Sequence, residues 1–310
     1  MARPEVVVVG GSNIDLKGRT AGDLRLRTSN PGTIQASPGG VGRNIAENLG
    51  RLGVAVSLLG VVGVDPEGER IIRATAAAGV DLRYLLRLER ERTGTYIALL
   101  NNHGELTAAL ADMAILDRLS VEYLRAALDL LRSAQWIVCD TNIPEAAIAF
   151  LIAFSRTSGI PICIEPVSVA KAQRVRGNLQ GVALITPNLD ELAALTGVPT
   201  QSDNVAQTAR LLIDAGVSAV VTTLGEDGLC YTTSEGSRML PSYPTTVAEV
   251  TGAGDALTAG LIYGLVRGKN LGDACRYGLA AAAITVASAD TVSQRISGAR
   301  IEAIVAGAAI

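Results

Sequence analysis

Histidine is almost missing from this 310-residue chain: only His103 is one, and it falls in Asn101-Asn102-His103-Gly104, which reads as a hairpin turn. A Ser-His-Asp triad would have to be built on that exposed turn residue, and the H-E-x-x-H zinc pattern needs two histidines. Cysteine is scarce and scattered. Cys139, Cys163, Cys230 and Cys275 lie far apart, with no C-x-x-C pair. That argues against a zinc knuckle and a disulfide framework, and fits reduced thiols. Aromatic residues make up 3%, too few for the stacking platforms that hold single-stranded nucleic acid. The net charge is −3 and no dense Lys/Arg tract occurs, so a nucleic-acid binder's electrostatic footprint is absent. No apolar run reaches the roughly 20 residues of a membrane span. Met1-Ala2-Arg3-Pro4-Glu5 leads straight into four valines rather than a signal-peptide apolar region. The expectation is a cytoplasmic protein with a small-molecule partner, and neither nucleic acid nor membrane.

Two nucleotide fingerprints are also missing. The Walker pattern G-x-x-x-x-G-K-[ST] does not occur; Gly264 to Gly268-Lys269-Asn270 has the wrong spacing and no hydroxyl. The first strand ends in Gly10-Gly11-Ser12-Asn13-Ile14-Asp15 rather than G-x-G-x-x-G, which leaves a dinucleotide-dependent dehydrogenase unsupported.

What is present is a β-α alternation. Val6–Val9, Val54–Val61, Trp136–Cys139, Pro161–Glu165, Ala183–Thr186 and Ala219–Thr223 read as buried strands. Helical patterns lie between them at Val41–Leu52, Pro66–Ala78, Val121–Leu131, Glu145–Ser155, Leu189–Leu195 and Val205–Ala215, followed by Ala256–Val266 and Leu271–Ala287. Continuous apolar strands alternating with helices predict a mostly parallel central sheet flanked by helices on both faces. No linker or composition change marks a boundary, so residues 1–310 read as a single domain. Segments of about 16–37, with a strand at Thr33–Ser37, and 93–110, a hairpin, break the rhythm. They read as a lid or as surface decoration.

Five segments carry candidate chemistry. In Val250-Thr251-Gly252-Ala253-Gly254-Asp255-Ala256 small residues precede an Asp at a helix start. Converging backbone N–H groups and the helix dipole would make an anion site there. Such a site suits a transferring phosphoryl group, and Asp255 could accept a hydroxyl proton. The same Asp also reads as a simple N-cap. Pro38-Gly39-Gly40-Val41-Gly42-Arg43-Asn44 allows close backbone approach at a helix start. Asn13 and Asp15 follow the first strand, where open α/β sheets bind ligands, and could hold a diol or form an Asx turn. Asn188 and Glu191 share a helix face and could hold hydrated Mg²⁺ or merely cap the helix. Thr222-Thr223-Leu224-Gly225-Glu226-Asp227-Gly228 is a strand-turn-strand that could lie against a nucleotide or be a plain hairpin.

In this order the five resemble the ribokinase-like (PfkB) carbohydrate kinase family across essentially the whole chain. The early G-G-x-x-x-N signature is similar to Gly39 to Asn44, the N-x-x-E element to Asn188 to Glu191, and the late D-T-x-G-A-G-D signature to Glu249 to Asp255. The resemblance implies an ATP- and Mg²⁺-dependent transferase with a small β lid. Asp255 would be the base and Gly252, Ala253 and Gly254 the anion hole. Asn13, Asp15, Gly39, Gly40 and Asn44 would hold the sugar, and Asn188, Thr223, Gly225 and Gly228 the nucleotide. Asn188 and Glu191 would position Mg²⁺ through water. Glu249 and Thr251, with the 285–291 loop, would stand at a K⁺ position, although Glu249-Val250 departs from the usual Asp-Thr. Members often form homodimers through the lid. Ser29-Asn30-Pro31-Gly32-Thr33-Ile34, Ala111-Asp112-Met113, Asp140-Thr141-Asn142-Ile143 and Glu165-Pro166-Val167-Ser168 resemble the family's pseudouridine kinases. That implies Asn30, Asp112 and Asn142 as further substrate-side groups. Kinases for adenosine, inosine or ribose are the nearest alternative, and a non-catalytic nucleoside-binding protein the alternative from another class.

Overall fold

The computed structural model describes residues 4–310. Among them an eight-stranded sheet runs in the order Gly236–Leu240, Leu229–Thr233, Ala219–Thr223, Leu184–Ile185, Ile162–Glu165, Trp136–Asp140, Val6–Val9, Val56–Leu59. The strands from Val56–Leu59 to Ala219–Thr223 pair in parallel, and the last two turn back antiparallel. The four valines of the central strand are fully buried. They sit between two apolar layers, one facing the helices Val41–Arg51, Ala253–Val266 and Leu271–Val286, the other facing Glu145–Ser158 and its neighbours. Each such valine contributes roughly 1.5 kcal/mol or more of burial free energy.

A second, four-stranded sheet has the order Gly32–Gly39, Asn13–Thr20, Gly94–Leu100, Leu106–Asp112. Thr33–Ser37 is thus part of a longer strand. Asn13 and Asp15 open a strand rather than an Asx turn, because the polar run Asn13–Thr20 finds partners on both sides. Alternation gives this strand two faces. Asn13, Asp15 and Lys17 share one, and Ile14 and Leu16 share the other.

Two further expectations are corrected. Val54–Val61 is not one strand. It breaks at Gly60, after which Val61–Gly63 pairs with Leu86–Leu88 in a separate two-stranded ribbon. Val121–Leu131 is two short helices, Val121–Ala126 and Leu128–Ser133, divided at Ala127.

Candidate active site

The helix Ala253–Val266 starts one turn's fraction earlier than its apolar pattern suggests. Its N-cap is Gly252, at φ 85°, and no side chain caps it. Asp255 therefore stands inside the first turn rather than at the N-cap; the Ala253 amide donates to the Val250 carbonyl at 3.2 Å, and no side chain caps the N–H groups that follow. A Cβ on Gly252 would lie 2.1 Å from the Thr291 carbonyl oxygen, so the turn is pinned against the neighbouring loop. A Cβ on Gly254 would meet nothing within 4 Å, so the space above the turn is open.

Asp255 faces the start of a second helix, Val41–Arg51. The Asn44 amide donates to Asp255 Oδ2 at 2.7 Å. This bond joins the two signatures, 211 positions apart in sequence. Burial pushes the Asp255 carboxyl up to about 7, with Asp140 and Asp15 adding to the rise and Asn44 and Arg43 opposing it. A base titrating near neutrality is matched to proton abstraction at physiological pH. Asn44→Leu removes the bond that favours the charged form. The acidic limb of the kcat/KM profile should then move from near 7 to higher pH, by about one unit for a hydrogen bond to a charged group. An unmoved limb in a pH series would refute this placement of the base.

The helix bearing Asn44 can approach because Gly40 sits at φ 97°, where a Cβ would lie 2.4 Å from the Gly11 carbonyl oxygen. The arrangement is held by Asp140 at the end of its strand. Asp140 Oδ2 accepts from the Gly11 and Gly42 amides at 2.9 and 2.7 Å and from the Asn142 side chain at 2.9 Å. Its Oδ1 accepts from the Asn142 backbone amide at 2.9 Å. One buried carboxylate thus ties three loops together, a role the sequence reading missed. Its position at the carboxyl end of a buried strand was the available signal. Arg43 is a second such residue. It is 2% exposed, and its guanidinium bonds Glu47 at 2.5 Å, the Pro38 carbonyl at 3.1 Å and Asn44 Oδ1.

Asn13 donates to Asp15 Oδ1 at 2.6 Å. Burial raises the Asp15 carboxyl, against the lowering effects of Asn13, Arg43 and Lys17. Gly39 is the strand partner of Asn13, and a Cβ there would lie 2.2 Å from Asp15 Oδ2. Asn13, Asp15, Gly39, Gly40, Asn44 and Asp255 are therefore gathered around one cleft. Asn142 stands beside it, held by Asp140 and by Lys171, whose ammonium donates to its Oδ1.

Two expected members do not join them. Asp112 pairs with Thr95, which pairs with Ile14, so it lies on the other face of the small sheet from Asp15. There it lines a cavity of about 590 Å³ with Asp65, Arg70 and Arg92. The Asn30 side chain closes its own loop, donating to the Arg25 and Thr28 carbonyls at 2.8 and 3.1 Å and accepting from the Arg25 amide at 2.8 Å.

Away from this cleft, Asn188 and Glu191 form a capping box. Asn188 Oδ1 accepts from the Glu191 amide at 2.9 Å, and Glu191 Oε2 accepts from the Asn188 amide at 3.0 Å. Capping is thus what their polar groups do here. Burial raises the Glu191 carboxyl. Asn188 bridges Thr223, whose amide donates to the Pro187 carbonyl at 3.0 Å. Gly225 and Gly228 bound the turn after Thr223, with Gly225 exposed and Gly228 buried. Beneath lies Glu165, buried and held protonated well above the usual carboxylate range, chiefly by burial and then by Glu191. Its Oε2 accepts from Thr186 at 2.6 Å and from Thr258 of the Asp255 helix at 2.9 Å. The Thr186–Glu165–Thr258 link fixes the strand end before Asn188 against the helix Ala253–Val266.

Among the described residues no helix is long and apolar enough to cross a membrane. Comparison with known proteins shows the family and the fold. The chain is 36% identical over 274 residues to pseudouridine kinase of Escherichia coli (strain K12), covering 88% of this chain and 87% of that protein. It is 35% identical over 286 residues to an uncharacterized sugar kinase, YeiI, of the same strain, covering 91% and 78%. An Arabidopsis thaliana ribokinase solved with ribose and ATP superposes with a TM-score of 0.87 at 23% identity, covering 98% of this chain and 99% of that one. The fold is ribokinase-like. Residues 3–296 match the pfkB family of carbohydrate kinases, and the chain belongs to that family.

Proposed function

We propose that the protein transfers the γ-phosphoryl group of ATP to the 5′-hydroxyl of pseudouridine. The observation that carries the reaction type is the Asn44–Asp255 bond, which sets a carboxyl titrating near 7 between a polar sugar cleft and an uncapped helix N-terminus. The similarity to the E. coli pseudouridine kinase supports the acceptor.

The small sheet is the lid of a single 1–310 domain in this reading. Asn13 and Asp15, with Gly39, Gly40 and Asn44, hold the ribose hydroxyls so that O5′ points at Asp255. Asp255 takes the O5′ proton as the bond from O5′ to the γ-phosphorus forms and the bond from that phosphorus to the bridging oxygen breaks, releasing ADP. The Gly252-Ala253-Gly254 turn receives the charge that spreads over the phosphoryl oxygens. ATP lies across Asn188, Thr223, Gly225 and Gly228. Among the described residues no cluster of three or more His, Cys, Asp or Glu could chelate a metal. The residues present fit Mg²⁺ held through water by Glu191 rather than a direct cage, since Glu191 Oε2 is engaged in the cap. The ion's part is to offset phosphate charge. The outer face of the lid carries exposed Ile34, Ile97 and Leu110, and pairing of two copies through that face belongs to the proposal.

The test is ADP release from Mg-ATP in potassium buffer with pseudouridine, uridine, adenosine, inosine or ribose. Pseudouridine should exceed the others in kcat/KM by about tenfold or more, the discrimination expected when a buried polar edge is left unpaired by the wrong base. Preference for another acceptor keeps the mechanism and overturns the substrate. Nucleoside binding without phosphoryl transfer to any acceptor overturns the kinase reading.

A further inference from the structure

The monovalent-cation position implied at Glu249 and Thr251 does not fit a K⁺ ion. Glu249 Oε1 accepts from the Val250 and Thr251 amides at 3.0 and 3.1 Å and from the Thr251 hydroxyl at 2.8 Å. Its other oxygen, Oε2, is met by the Lys17 ammonium at 3.2 Å, and the same ammonium reaches Thr251 Oγ1 at 3.2 Å. The Val286 carbonyl, at the end of the helix that leads into the loop that would complete the cation's shell, accepts from the Ala248 and Glu249 amides at 2.7 and 3.3 Å. Both Glu249 oxygens, Thr251 Oγ1 and the Val286 carbonyl are thus already engaged, and a positive charge is already there.

We propose that Lys17, carried by a lid strand, is a tethered cation that replaces the monovalent ion beside the anion turn. This rests on the kinase reading. Lys17 follows Asp15 on the same face of the strand Asn13–Thr20, and Thr251 is the residue before Gly252. One strand therefore reaches both the sugar cleft and the phosphate-stabilising turn. Burial alone would raise the Glu249 carboxyl; the Thr251 bonds and Lys17 outweigh it and hold the group below its ordinary value, so the pair is ionic. The charged groups facing Lys17 across this pocket are Asp15, Arg43, Glu47, Glu249 and Asp290. Glu47 is taken up by Arg43 and Arg51, which leaves Asp15 and Asp290 beside Glu249 to favour a cation here. Glu249 suits a lysine partner because its extra methylene, relative to the family's Asp, extends the carboxylate toward the lid. Lys17 is a positioning residue: it fixes Thr251 and the turn, and it couples lid placement to anion-hole geometry.

The experiment compares wild type, Lys17→Met and Lys17→Arg in potassium and in tetramethylammonium buffers, reading turnover and, without nucleotide or acceptor, melting temperature. Wild-type turnover should be equal in the two buffers within about twofold, and its melting temperature should not respond to K⁺. Lys17→Met should lose roughly tenfold or more in tetramethylammonium, the scale of a misplaced electrostatic donor, with Lys17→Arg retaining most activity. A tenfold K⁺ activation of the wild type, or a K⁺-dependent rise in its melting temperature, overturns the assignment even if the variants fail to fold. So does Lys17→Met turning over as the wild type does in tetramethylammonium. Absence of ADP with every acceptor in every buffer refutes the kinase reading instead, while the melting series still decides the cation question.

Discussion

Asp255→Asn should lower turnover by roughly 10²–10⁴, the range for loss of a positioned base, while nucleoside binding stays near that of the wild type. Asparagine preserves the shape and can still face Asn44, but it cannot take the O5′ proton. Stability should move the other way. The carboxyl titrates near 7 in the folded protein against 3.8 for the free group. The folded state therefore holds the proton more tightly, and ionising it costs folding free energy as pH rises through 7. That cost is absent near pH 4 and complete above pH 8. Asparagine removes it, so the variant should melt higher than the wild type at pH 8. The gain is at most about 4 kcal/mol, and less because the carboxyl is partly solvated. It should vanish near pH 4. A variant that turned over normally, or that melted lower at pH 8, would sink the assignment.

Gly252→Ala should be nearly as damaging for a different reason. The position needs φ 85°, and an added Cβ would lie 2.1 Å from the Thr291 carbonyl oxygen. The left-handed conformation alone costs alanine roughly 1–2 kcal/mol. The backbone clash cannot be relieved by a rotamer change, so the turn must shift away from the 291 loop. Donors aimed at a developing charge tolerate little displacement, and loss of one costs about 10²–10³ in kcat. We expect a kcat loss of that order with a modest drop in melting temperature. Gly254→Ala, whose Cβ meets nothing within 4 Å, serves as the folding control and should melt as the wild type does. If Gly252→Ala kept its kcat, the turn would not be the anion site.

The two signatures were legible because each is local: a glycine turn before a helix announces itself in a handful of residues. The central sheet was legible for the same reason, since strands buried on both faces read as unbroken apolar runs. What escaped needed distant partners. Asn13–Thr20 is too polar to look like a strand until Gly32–Gly39 and Gly94–Leu100 flank it. The Asp140 knot joins Gly11, Gly42 and Asn142; its place at the end of a buried strand was visible, but its partners, amides 129 and 98 positions away, were not. Lys17 and Glu249 are separated by 232 positions. Asp112 is assigned through the family resemblance; which face of the small sheet it lies on is set by register, which a motif does not carry.

The strand Asn13–Thr20 obeys a parity rule. Its odd-numbered positions through Lys17 serve chemistry, and its even-numbered Ile14 and Leu16 serve packing. Inserting or deleting one residue between Asn13 and Lys17 would exchange the two sets, sending an ammonium into the apolar side and a leucine toward the phosphate turn. Insertion of two residues would restore the faces and only displace Lys17 along the strand. Length variation in this lid should therefore be tolerated at its loop ends and, within this strand, only in steps of two.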